Sequence, residues 1–240
     1  MMTHIFSLML VVVLSAFSFL GLDKCNGVDS SKTLKTKEGN YNMEVTQSSI
    51  IEAVKNKQYT AVEAALKKGA DVNSKDKHDK NLLLIATEND DLKMAQLLVS
   101  HGANVNQQDV RSDSPFLLAG AQGQTELVKL YLANGARFDL FNRYNGTALI
   151  PACERGHIET VKVLANTKGF PIDHVNRLGW TALMEAVVLG NGSEKFVKIV
   201  QILVDAGSDV NIPDKNSVTA LQHARLSGFT EIAKVLEKTR

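Results

Sequence analysis

Cys153 and His157 stand four residues apart, the spacing that puts two side chains on one face of a continuous helix. A thiol beside an imidazole is the chemistry of a cysteine nucleophile and its base. His174 and His223 are further nitrogen donors that could join Cys153 around a metal, and Glu154, Glu185 and Glu194 are carboxylates of the kind used in acid–base work. The patterns that such chemistry needs are missing. The order Cys153, His174, His223 matches no zinc spacing, and the three glutamates form no acid–base pair along the chain. There is no Walker loop, no G-x-G-x-x-G and no H-E-x-x-H, so no cofactor is called for. A second set of residues points to binding instead. Lys77, Arg111, Arg143, Arg177 and Lys215 recur along the chain, with Tyr144 and Trp180 among them. Arg, Tyr and Trp are the favoured anchors of protein interfaces.

The elements that must position these residues repeat. The phrase "GADVNSKD" at Gly69 returns as "GANVNQQD" at Gly102, "GARFDLFN" at Gly135, "GFPIDHVN" at Gly169 and "GSDVNIPD" at Gly207. The steps between these glycines are 33, 33, 34 and 38 residues. A second phrase keeps the same steps: "NLLLIA" at Asn81, "SPFLLA" at Ser114, "TALIPA" at Thr147, "TALMEA" at Thr181 and "TALQHA" at Thr219. Two motifs in phase at one period indicate stacked supersecondary units. The Thr or Ser opening the second phrase is a natural N-cap, and Pro or Ala follows where the first helical residue stands. Ala86, Ala119, Ala152, Ala186 and Ala224 are small enough to let neighbouring helices approach. Apolar residues at helical spacing, such as Leu127, Val128, Leu130 and Leu132, mark a second helix. The five glycines are placed to end that helix in the left-handed conformation. Asp76, Asp109, Asn142, Asn176 and Asp214 then fix a turn by bonding their own backbone.

These residues resemble the ankyrin repeat, whose mark is T-P-L-H-x-A, a glycine turn, a second helix and a G-A-D-V-N tail. "GQTELVKLYLANGA" (Gly123 to Ala136) and "GHIETVKVLA" (Gly156 to Ala165) are similar to its second-helix pattern. "DHVNRLGWTALMEAV" (Asp173 to Val187) is similar to bacterial ankyrin-repeat proteins, many of them exported. The resemblance implies an all-α solenoid of six helix–turn–helix units with short β-hairpin fingers. The units run Ser48–Lys75, Asp76–Gln108, Asp109–Phe141, Asn142–Val175, Asn176–Pro213 and Asp214–Arg240. It also implies a non-enzymatic scaffold that binds a partner protein on the concave face of fingers and first helices. His157 then lies in an ordinary turn-to-helix sequence and Cys153 at a small-residue core position. An enzyme or metal-dependent protein using Cys153 and His157 is the alternative. The finger tips carry Lys77, Arg111, Arg143 with Tyr144, Arg177 and Lys215, with Trp180 just past the fifth-unit tip. Stacking would set these cations in a row, diluted by Asp79 and Asp113, facing an acidic or mixed-polar protein surface. Unit five carries about five extra residues, Asn191 to Lys195, expected in a loop.

Lys plus Arg is 27 and Asp plus Glu is 26, so net charge predicts no nucleic-acid partner, and 6% aromatic residues leave few platforms for base stacking. The domain is expected to be monomeric. Residues 1–22 differ in kind: Ile5 to Leu22 carries no charge, enough apolar helix nearly to cross a bilayer. It reads as a signal peptide for export to the periplasm or beyond, or as an uncleaved membrane anchor. The lysines that follow favour the anchor; Asp23-Lys24 argues against acylation of Cys25. Residues 23–47 are polar and aperiodic, a linker before the repeat domain at 48–240.

Overall fold

The computed structural model describes residues 49–238. The signal or anchor segment, Cys25 and the linker lie outside the described residues. Helical residues through position 55 form α1. Eleven further helices follow: α2 (Tyr59–Lys67), α3 (Leu82–Glu88), α4 (Leu92–Ser100), α5 (Pro115–Gln122), α6 (Thr125–Ala133), α7 (Leu149–Arg155), α8 (Ile158–Ala165), α9 (Ala182–Val188), α10 (Glu194–Asp205), α11 (Ala220–Leu226) and α12 (Thr230–Glu237). First helices pack on first helices, in the order α3, α5, α7, α9, α11. Second helices pack on second helices from α2 to α12. From unit two onward the two helices of each unit also pack together. Among the described residues no helix is long and apolar enough to cross a membrane.

First helices begin as their residue types demand. The side chains of Asn81, Ser114, Thr181 and Thr219 accept from Leu84, Leu117, Met184 and Gln222 N–H respectively, satisfying donors that a helix start leaves orphaned. Thr147 breaks the expected rule. Its hydroxyl is buried without a hydrogen-bond partner among the described residues, and α7 starts one residue late, at Leu149. The cause is Pro151. In the other units the fourth residue after the cap donates its N–H to the cap carbonyl, as Leu118 does to Ser114 at 2.9 Å and Glu185 to Thr181 at 3.0 Å. Proline has no N–H to give, so the first turn of α7 is left unclosed.

The inner first helices are buried almost all round, as in α3, where Leu82 to Thr87 are inaccessible, whereas the terminal α11 buries only Ala220, Leu221 and Ala224. Second helices bury one stripe, as in Met94, Ala95 and Leu98 of α4. In α6 the innermost place beside Leu127 and Val128 belongs to Tyr131, while Leu130 and Leu132 are half-buried. The Tyr131 hydroxyl meets Thr87 Oγ1 at 2.7 Å, and Thr87 Oγ1 also donates to Leu83 O. A buried polar group is tolerable when so paired. The five helix-packing alanines are fully buried.

The repeated phrase does two jobs. Gly102 has φ +85°; it donates its N–H to Val99 O, and Ala103 N–H reaches back to Leu98 O, a helix stop that uses glycine's freedom at positive φ. The fifth residue of the phrase then ties units together. Asn73 Oδ1 accepts from Asn104 N–H at 2.8 Å, Asn106 Oδ1 from Arg137 N–H at 2.8 Å, and Asp173 Oδ1 from Asp209 N–H at 3.0 Å. The fingers contain no strand among the described residues. One antiparallel bridge joins Lys75 and Asn81, and the rest is turn. The unit-five insertion is only partly a loop. Glu194 and Lys195 open α10, which at 12 residues is longer than the other second helices.

Candidate interaction groove

Each finger turn is built by one side chain. Asp76 Oδ1 accepts from His78 and Lys80 N–H at 2.8 and 3.0 Å. Asp109 does the same for Arg111 and Asp113, Asn142 for Tyr144 and Gly146, Asn176 for Leu178 and Trp180, and Asp214 for Asn216 and Val218. Five identical turns present the residues after the Asp or Asn in the same way. Neighbouring fingers are also joined: Val110 N–H donates to His78 O at 3.4 Å and Arg177 N–H to Tyr144 O at 3.0 Å.

Between the fingers and first helices of units three to five lies a cavity of about 470 Å³. Arg111, Arg143 and Tyr144 line it, so the structure brings these three predicted residues together. The guanidinium groups of Arg111 and Arg143 share Asp113, with Oδ2 at 3.7 and 3.4 Å. Burial pushes the Asp113 carboxyl up, as does the charge of Asp109, while the two arginines pull it down. Arg143 also sits over the Tyr144 ring at 4.7 Å. The other predicted residues lie elsewhere. Lys77 and Arg177 are exposed on their fingers, outside the cavity lining. Lys215 folds back and donates from Nζ to Arg177 O at 2.6 Å. Trp180 is half-buried and packed against the core.

Several lining residues were not singled out as binding residues from the sequence: Leu118, Pro151, Glu154, Glu185, Leu178 and Leu189. A signal for some of them does exist. The position nine residues after the finger's Asp or Asn is Ile85, Leu118, Pro151, Glu185 and His223 in successive units. Carboxylate and imidazole there break an apolar series. Glu185 is 5% exposed, and its Oε1 accepts from Asn176 Nδ2 at 2.7 Å. Burial raises its pKa to about 7, helped by the charge of Glu154 and opposed by the Asn176 bond. In the next unit His223 Nε2 and Asp214 Oδ2 are 2.8 Å apart and pair with one another.

The chemical candidates separate. α7 ends at Arg155 and Gly156 follows at φ +78°, so Cys153 and His157 do not share a continuous helix. The Cys153 thiol is fully buried and pushed well above its ordinary value, by burial first and then by Glu185, the opposite of what an activated nucleophile requires. His174 Nε2 lies 2.7 Å from Asn145 O, and its ring stacks on Phe141 at 4.2 Å. Among the described residues no three His, Cys, Asp or Glu side chains are grouped to hold a metal ion.

Known proteins agree with this architecture. The family description "Ankyrin repeats (3 copies)" matches residues 24–111 and 116–214. The ankyrin repeat protein YahD of Escherichia coli (strain K12) is 34% identical over 179 residues, 75% of this chain and 73% of YahD. A crystal structure of an ankyrin repeat domain from Acinetobacter baumannii AYE shares 42% identity with a TM-score of 0.77, over 79% of this chain and 96% of that one. The ankyrin repeat protein EF0377 shares 39% identity with a TM-score of 0.76, over 79% and 96%. Ankyrin repeats are generally protein–protein interaction scaffolds. With its period, caps, finger turns and relatives in accord, this chain belongs to the ankyrin repeat family.

Proposed function

We propose that this chain is a non-catalytic scaffold that holds a partner protein in the groove between fingers and first helices of units three to five. One observation carries the reading. The cavity gathers three arginines, Arg111, Arg143 and Arg155, and the exposed apolar side chains of Tyr144, Leu178 and Leu189 in one place. Guanidinium groups beside exposed aromatic and aliphatic surface are what protein interfaces use as anchors. The finger cations favour a partner with an acidic or mixed-polar surface, and the scaffold acts as a monomer.

Affinity capture from the native host tests this. Arg143→Glu together with Arg177→Glu should leave the melt nearly unchanged, because exposed charges contribute little to stability. It should deplete the captured partner, and the wild-type interaction should weaken with salt. Undiminished capture by the charge-reversed protein would remove the finger face as the site. We further propose that residues 1–22 direct the domain to a membrane, for export or for anchoring. Fractionation with protease accessibility separates the two, and full-length protein recovered soluble in the cytoplasm would refute both.

A further inference from the structure

We propose that the unit-four and unit-five end of this groove is a socket for one cationic side chain, arginine or lysine, of the bound partner. The proposal rests on the reading of the groove as the partner site. Glu185 carries it. The residue is 5% exposed, yet it lines the cavity. Only Oε1 is bonded, to Asn176 Nδ2; Oε2 has no hydrogen-bond partner among the described residues. Asn176 is held in place, since its Oδ1 accepts from Leu178 and Trp180 N–H while one N–H of its amide group goes to Glu185 Oε1. A buried carboxylate open on one side to a cavity lacks the cation that would compensate its desolvation. Glu154 on α7 lines the same cavity and adds a second carboxylate.

The arginines that line the cavity are engaged on the unit-three side, Arg111 with Asp113. Arg143 is held by Asp113 and the Tyr144 ring, and Arg155 donates from Nη1 to Ala121 O at 2.6 Å. The walls suit a long stem. Tyr144, Leu178 and Leu189 are 57%, 53% and 47% exposed, apolar surface that the methylenes of an arginine or lysine cover while the charged head reaches the carboxylates. The series of equivalent positions sharpens the assignment. Ile85, Leu118 and Pro151 are apolar, and His223 already has Asp214, so in this row Glu185 alone is a carboxylate without a cation. An anionic side chain would meet two carboxylates there. A metal ion would find too few ligands, because among the described residues no third His, Cys, Asp or Glu is grouped with the pair to hold one.

The test is an NMR titration of the full chain with N-acetylargininamide, and with N-acetylcitrullinamide as its uncharged isostere. The arginine compound should give saturable shifts at the Asn176 side-chain amide and at the backbone amides of Glu154 and Glu185. The citrulline compound should bind roughly tenfold or more weakly, and Glu185→Gln should lose affinity to the same degree, the size expected for a hydrogen bond to a charged group. Glu154→Gln, at an exposed position, gives a second variant whose folding is not at stake, and it should also weaken binding. Equal shifts from both compounds, shifts centred elsewhere, no saturable shifts, or unchanged binding in both variants would each overturn the socket. If Arg143→Glu with Arg177→Glu abolishes partner capture while the arginine compound fails to bind, the socket falls and the scaffold stands. If the compound binds but capture ignores the finger variants, the scaffold reading fails on its own.

Discussion

Glu185 sets the sign of a pH dependence. Its carboxyl sits at about 7 in the folded chain against an ordinary 4.5, so the folded state keeps a proton that the unfolded state has lost. Stability from this group is greatest below about pH 4.5 and falls as pH rises toward 7. Burial raises it first and the charge of Glu154 second, the Asn176 bond opposes them, and Cys153 on α7 is close enough to feel the Glu185 charge. Glu185→Gln should therefore stabilise the protein relative to wild type at pH 8 by roughly 1–3 kcal/mol more than at pH 5. Urea unfolding at both pH values checks it; a difference independent of pH would contradict the buried, half-protonated carboxylate. Gly102 makes the second residue-scale prediction. An added Cβ would meet nothing within 4 Å, so the cost of Gly102→Val comes from the backbone at φ +85° alone. The loss should be roughly 1–3 kcal/mol. Gln96→Ala, on the exposed side of α4, should stay within about 0.5 kcal/mol. Equal melting temperatures for the two variants would show that the helix stop is misassigned.

At the scale of elements, the links between units invite substitution. Asn106 accepts from Arg137 N–H and donates from Nδ2 to Gly135 O at 2.9 Å. Asn106→Ala loses both bonds and should cost about 0.5–1.5 kcal/mol for each. Asn106→Asp keeps the acceptor and should fall between alanine and wild type in chemical unfolding; an alanine variant as stable as wild type would mean the link contributes nothing. These local parts were readable because each has its own residue type. Caps at Ser114 and Thr181, turns at Asp109 and Asn176, and stops at Gly102 answer hydrogen-bond and φ demands that recur every unit. Pro151 hid the one failure, since the missing N–H matters only against the carbonyl of Thr147. Tyr131 was overlooked in favour of Leu130 and Leu132 because helical spacing marks a face and not its centre, and the partner of its hydroxyl, Thr87, comes from the preceding unit. The groove was half legible. Arg111, Arg143 and Tyr144 recur in phase; Glu185 breaks the apolar series nine residues after the finger's Asp or Asn, but its nearness to Glu154 comes from the stacking of two units and has no period of its own.

For the whole molecule, every unit buries its apolar face against neighbours, from Ile50 in α1 to Leu236 in α12. Stability of such an array is a sum of unit and interface contributions. A chain beginning at Asn42 should accordingly keep the helical circular dichroism and melt of the repeat domain; a molten product would place the boundary too late. In the proposed complex the groove between fingers and first helices, not the second-helix face, holds the partner. Hydrogen–deuterium exchange of the full chain, alone and with the captured partner, tests it most directly. Exchange should slow at residues 109–113, 142–146 and 176–180 and along α7, with α6, α8 and α10 unchanged. Slowing confined to α6, α8 and α10 would contradict it.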